Sequence, residues 1–357
     1  MRNLYHQLLL SAMLLFCMRG MADIGHLYTP DKLSSGLITC ICQDRYGYLW
    51  IGTEYGLNKF DGYRYTAYHH NRKDSTTISD NEVASLFVDK SGNLWVGGSK
   101  GLARYDYEHD CFKRYQFPDN RSPRVNSLIE SATGDLLIGT AGYGLFSLKK
   151  GSEDIHYEEL FCQRHIDDYC SRIHIDRNGN LWRSSHIPTI TRYTLKNKKT
   201  ASLRDYQSEC GHPVGYIEYS PKEMLIVCMY GIMSYNYETG ELQRADFDLT
   251  LLDRNVSIEG VTMDSQGNIY FATAGCGLMV IPKGERRMQR IENVTARIDM
   301  TSANVVDVIE DKDHNLWAAF YNKGLLLISK QKASFNSWSF SNQHYVTGGN
   351  VASVVQG

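Results

Sequence analysis

The sequence predicts an all-β, seven-bladed propeller with four antiparallel strands per blade. Three observations carry that prediction. A unit of roughly 45 residues recurs seven times, each unit reads as short strands divided by turn signals, and four of the five tryptophans fall on one column of the repeat. Helical repeats of similar length would show a 3.6-residue period, which is absent.

The unit is plainest in "DRYGYLWIGTEYGLNKFD", Asp44 to Asp61, and "DKSGNLWVGGSKGLARYD", Asp89 to Asp106. Each copy opens on an alternating small and apolar run, such as "ITCICQD" from Ile38 or "VASLFVD" from Val83. A turn follows, at Asp44, Asp89, Ser131, Asp176, Ser220, Asp264 and Asp311, with glycine three residues on at Gly47, Gly92, Gly134, Gly179 and Gly267. Asp bonds its own backbone and Gly accepts positive φ, so the pair marks a hairpin; Glu223 and His314 depart from it. The next run is apolar at consecutive positions, as expected of a strand packed on both faces by neighbouring blades. Its anchors, six residues after the turn, are Trp50, Trp95, Leu137, Trp182, Ile226, Tyr270 and Trp317, with steps of 45, 42, 45, 44, 44 and 47 residues. They are expected to form interblade core rather than to stack on a ligand. A Gly-Leu or Gly-Ile pair then opens a third strand in every copy but the fourth, and an aromatic run such as "CFKRYQF" from Cys111 closes the unit.

The ends extend the domain plan. Residues 1–22 combine Arg2, an apolar run from Leu8 to Cys17 and the small residues Gly20 and Ala22, which reads as an export signal too short to span a bilayer. The propeller is expected over 23–345. Residues 346–357 repeat the entry to the second blade, as a truncated eighth repeat or a ring-closing strand.

The units "GYLWIGTEYGLNKFDGYRYTAY" and "GNLWVGGSKGLARYDYEHDCFKRY" closely resemble the two-component-regulator propeller repeat. With the leader, they are similar to the amino-terminal part of hybrid two-component sensors. That resemblance implies a periplasmic segment of a receptor held in the inner membrane, followed in the parent protein by a further propeller and an immunoglobulin-like domain. It also admits a homodimer through the parent. Histidine kinase activity is expected only in a longer parent protein, because this segment carries no kinase motif.

The residues suggest recognition rather than catalysis. The turn aspartates recur, whereas catalysis needs a unique constellation. No G-x-S-x-G, H-E-x-x-H or CxxC is present, so neither catalytic residues nor metal ligands are expected, and no cofactor. His69 and His70 read as a solvated loop pair. The cysteines read as small buried thiols; Cys162 and Cys170 are the least implausible local disulfide. A net charge of −2 argues against nucleic-acid binding.

Alternating strand direction puts the second-to-third-strand loops and the crossovers between blades on one face, around the central channel. Those loops offer Glu54, Tyr55, Lys100, Tyr143, Arg183, His186, Tyr230, Tyr321 and Lys323, and the crossovers offer Arg72, Lys73, Arg121 and Arg124. Tyrosine faces and cationic tips suit an oligosaccharide, including one with carboxylate or sulfate groups. The leading expectation is a periplasmic sensory propeller that recognises such a ligand for signal transduction. The alternatives are a propeller lyase or hydrolase resembling streptogramin-type lyases, and a protein-interaction scaffold.

Overall fold

The computed structural model describes residues 25–159, 169–184, 190–194, 199–203, 210–253, 255–292, 294 and 297–329. The export signal, residues 346–357, His186 and Cys162 lie outside them.

Seven four-stranded antiparallel sheets are arranged as blades, with inner strands beginning at Ile38, Val83, Val125, Arg172, Pro213, Ile258 and Val305. The first blade shows the plan: Ile38–Gln43 innermost, then Leu49–Thr53, Gly56–Phe60 and Tyr65–Tyr68 outward. The second strand is the buried middle of each blade. "LWIGT", "LWVGG", "IYFAT" and "LWAAF" are buried at every position, because one side chain packs on the preceding blade and the next on the following one. Trp50 thus joins a cluster with Ala103, Tyr105 and Phe112 of blade 2, whereas Ile51 joins Trp317 and Leu325 of blade 7. Glycines in these strands make room for the neighbouring inner strand: a Cβ on Gly97 would lie 2.3 Å from Ser85 Oγ and 2.7 Å from a Val125 methyl.

The ring closes through the N-terminal segment. Gly25–Tyr28 forms the outer strand of blade 7, antiparallel to Gly324–Ile328, with Gly25 opposite Ile328 and Tyr28 opposite Leu325. Gly324 has φ of 86°, and a Cβ there would sit 2.1 Å from the Tyr28 carbonyl oxygen. Glycine is therefore required at this seam on two counts.

One anchor needs correction. In blade 5, Cys228 pairs with Gly231 as Thr53 pairs with Gly56, so the residue equivalent to Trp50 is Leu225, not Ile226. Leu225 packs toward blade 6, while Ile226 packs back onto Trp182 of blade 4. The hairpin spans as many residues as in blade 1, since Pro213 pairs with Cys228 as Ile38 pairs with Thr53, so the residue equivalent to Asp44 is Tyr219 rather than Ser220. With no Asp at that turn, the spacing alone sets the column one residue late, which in a strand of period 2 means the opposite face. The remaining anchors, Trp50, Trp95, Leu137, Trp182, Tyr270 and Trp317, keep equivalent register.

Candidate functional site

The turn aspartates define one end of the ring, and their role goes beyond the turn. Asp44 Oδ1 accepts the backbone N–H groups of Tyr46 and Tyr48, while its Oδ2 accepts Trp50 Nε1 at 2.8 Å. Trp95, Trp182 and Trp317 donate to Asp89, Asp176 and Asp311 at 2.8–2.9 Å, and the Tyr270 hydroxyl donates to Asp264 at 3.2 Å. These carboxylates are consumed by structure. Glu218 is consumed similarly: burial opposes its ionisation, but hydrogen bonds from His174, Arg177 and Tyr237 outweigh it and bring the carboxyl down to about 2.

The opposite end carries the second-to-third-strand turns and the crossovers. Gly56 N–H donates to the Asn81 carbonyl, Gly101 to Pro123, Gly277 to Ala303 and Asn322 to Gly36, so each turn is tied to the next blade's crossover. On this rigid ring Tyr55, Tyr143, Tyr230 and Tyr321 stand at comparable turns and are 61%, 43%, 44% and 44% exposed. The four account for half of the strongly exposed large hydrophobics among the described residues, the others being Tyr46, Tyr63, Tyr157 and Leu251.

Around these rings the charged candidates differ in freedom. Arg121 lies over the Tyr143 ring at 5.6 Å and pairs with Asp119 at 3.2 Å. Lys100 pairs with Asp80 at 3.2 Å. Arg124 is held by Glu82, whose carboxyl is lowered by that bond and, against burial, by Ser99. Glu54, Arg72, Lys73 and Lys323 are exposed. Arg183 belongs elsewhere: it lies within Leu181–Ser184 and is only 2% exposed. Its pairing opposite Ile173 puts it in the strand at the position Ile51 fills in blade 1.

Below the tyrosines opens a channel-mouth cavity of about 480 Å³, lined among others by Cys40, Arg124, Arg172, Glu259, Asp307 and Tyr321. Arg172 and Asp307 occupy the inner-strand position that is Cys40, Ser85, Ser127, Gly215 and Gly260 in the other blades. Asp307 Oδ2 accepts Ile41 N–H across the closing seam at 2.9 Å. Burial pushes its carboxyl up, opposed by that bond and by the Arg172 guanidinium. Burial also pushes the Cys40 thiol up to about 12, so it is a poor nucleophile. The channel pair went unread in the sequence, although aligning the inner strands would have isolated it. Among the described residues no group of three or more His, Cys, Asp or Glu side chains could hold a metal ion.

Five of the seven blades are locked by an acid and an aromatic six residues apart, and the chain is a seven-bladed propeller. Residues 32–55 and 77–100 match the family described as two component regulator propeller. Over 53 residues the chain is 51% identical to Histidine kinase P4 of Formosa agariphila, a match covering 15% of this chain and 4% of that protein. It superposes on the extracellular domain of a hybrid two component system from B. thetaiotaomicron with a TM-score of 0.71 and 21% identity, over 90% of this chain and 44% of that one. The chain therefore spans less than half of that domain. A streptogramin B lyase superposes with a TM-score of 0.67 and 17% identity, over 86% of this chain and 99% of the lyase, which shows the shared fold. No helix among the described residues is long and apolar enough to cross a membrane.

Proposed function

We propose that this chain is the first periplasmic propeller of a hybrid two-component sensor, and that it recognises an oligosaccharide on its tyrosine-bearing face. The observation that carries the reading is the set Tyr55, Tyr143, Tyr230 and Tyr321, exposed together on turns that hydrogen bonds fix to neighbouring blades. Flat rings with hydroxyl tips suit sugar faces, and Arg121, Arg124, Arg172 and Lys323 supply cations for acidic groups. Binding here biases signalling only through a difference in affinity between receptor states, so further propeller and immunoglobulin-like domains, and a homodimer formed through the parent, belong to the same proposal.

The test is a thermal-shift screen against neutral and acidic oligosaccharides. A saturable rise in melting temperature that is lost in Tyr143→Ala and Tyr230→Ala supports the site. A rise unaffected by either change places the sugar elsewhere. A lyase reading would instead require turnover of an added substrate, and the elevated Cys40 thiol and structurally engaged aspartates do not favour it.

A further inference from the structure

The seven gaps between blades serve as internal controls for one another: of the five with an aromatic anchor, those between blades 2 and 3 and between blades 6 and 7 carry an aliphatic residue, Leu148 and Ile328, where the others carry a ring. In most aromatic-anchored gaps a ring from the following blade covers the anchor. Tyr105 packs edge-on against Trp50 at 4.7 Å, Tyr235 against Trp182 at 4.8 Å, and Phe60 against Trp317 at 6.1 Å. The second tyrosine of each Tyr-x-Tyr pair adds a hydroxyl at the turn end: Tyr107 donates to Asp44 at 3.0 Å and Tyr237 to Glu218 at 2.8 Å.

Between blades 2 and 3 both plugs are missing. The strand pairing puts Leu148 at the position of Tyr105, which makes Lys150 the counterpart of Tyr107. A cleft of about 410 Å³ opens beside Trp95, Tyr115 and Leu148, on the end of the ring opposite the exposed tyrosines. That volume lies within the roughly 300–1,000 Å³ usual for small-molecule sites.

The charges in the cleft are unequal in availability. Asp89 is occupied by Trp95 Nε1 at 2.9 Å and Asn93 Nδ2 at 2.8 Å. Glu130 accepts the Lys90 backbone N–H at 2.7 Å, and Glu153 is paired with Lys113. Arg104, Lys149 and Lys150 have no ion pair among the described residues, and the Arg104 guanidinium lies 5.8 Å from the Trp95 ring centre, at the wall of the cleft. Ser91, Asn93 and Ser152 add hydroxyl and amide groups to the lining. With Glu153 neutralised by Lys113, the lining keeps three cations, Arg104, Lys149 and Lys150, against two carboxylates, Asp89 and Glu130, whose oxygens already accept hydrogen bonds; that positive excess favours an added carboxylate, and the hydroxyl and amide groups favour hydroxyls on the same molecule.

We infer that the gap between blades 2 and 3 is a second ligand site, taking a small hydroxylated carboxylate whose acid group meets Arg104 and Lys150. Titration calorimetry on the full chain, with D-glucuronate as probe and D-glucose as its uncharged match, tests it. Glucuronate gives saturable heat and glucose binds at least about tenfold more weakly, the factor set by one charge-assisted hydrogen bond. Arg104→Gln weakens glucuronate by a similar factor. The paired change Leu148→Tyr with Lys150→Tyr, which copies the plugged gaps, abolishes binding while melting temperature is kept or raised. Should that variant not fold, Arg104→Gln alone decides. Absence of saturable heat from the folded wild-type chain, or heat unchanged by Arg104→Gln, overturns the site. Tyr143→Ala and Tyr230→Ala leave the glucuronate heat intact, so failure here is distinct from failure of the tyrosine face.

Discussion

Trp182 Nε1 donates to Asp176 Oδ2 at 2.8 Å, and both residues are buried. Asp176 Oδ1 also takes the backbone N–H groups of Asn178 and Asn180, at 2.9 and 2.8 Å, and Asn180 Nδ2 donates to Oδ2 at 2.8 Å. One carboxylate thus satisfies the turn and the anchor together. Asp176→Ala strands these donors and is expected to cost about 3 kcal/mol in urea unfolding. Trp182→Leu is expected to cost a similar amount through the cavity it leaves. Asp176→Ala combined with Trp182→Leu removes donor and acceptor together, as blade 3 does with Ser131 and Leu137, and its cost should fall short of the sum of the two single changes by about 1–2 kcal/mol. Strict additivity would show that the two residues act independently.

That coupling was present in the sequence but unread. Asp stands at the five turns that precede an aromatic anchor, Asp44, Asp89, Asp176, Asp264 and Asp311, while Ser131 precedes Leu137. An aliphatic anchor has no donor, so the carboxylate loses its partner. Blade count and strand order were legible because turn chemistry and burial repeat them seven times. Register in blade 5 was not, since Tyr219 stands where the other turns carry Asp or Ser, and a period-2 strand carries no mark of a column set one residue late. Arg183 was misplaced for a related reason: without the Gly-Leu pair, the strand end could not be located. The exposed tyrosines were found because each precedes, or lies within three residues of, a glycine that starts the third strand. Arg172 and Asp307 stand in no motif, and emerge only when inner strands are aligned by pairing.

Asp307 makes stability depend on pH. Its folded pKa is raised by burial above the unfolded value of about 3.9, so its contribution is fully present below that value and is lost as pH rises through the folded one. Asparagine keeps an acceptor for Ile41 N–H and cannot ionise. Asp307→Asn is therefore expected to melt higher than wild type at neutral pH, with the difference vanishing in acid. Melting curves from pH 3 to 8 check this, and equal melting temperatures at pH 7 would show that the ionised group carries no cost.

Glu218 sets the opposite slope. Its folded pKa of about 2 lies below the unfolded value of about 4.3, so its contribution is present above pH 4.3 and lost as pH falls toward 2. The side chain is 26% exposed, and allowing for solvent screening its contribution is about 1–2 kcal/mol. Glu218→Gln should lose that amount at pH 7 and converge on wild type near pH 2, as read from urea midpoints. A constant deficit across the range would mean packing, rather than charge, is the source.

The seam between first and last strands sets the integrity of the ring. Tyr28 carries much of it, meeting Phe60 edge-on at 4.9 Å and Trp317 at 5.5 Å while its strand completes blade 7. Because Tyr28 is half-buried, Tyr28→Ala is expected to cost about 1–3 kcal/mol, below the range for a fully buried ring. Removing residues 25–28 goes further, since it uncovers the backbone edge of Gly324–Ile328, whose sequence "GLLLI" is apolar after its first residue. An exposed apolar edge templates strand addition from other molecules. The shortened chain should therefore melt lower than Tyr28→Ala and elute partly as oligomers in size-exclusion chromatography. A monomer with unchanged melting temperature would show that the first strand is dispensable to the ring.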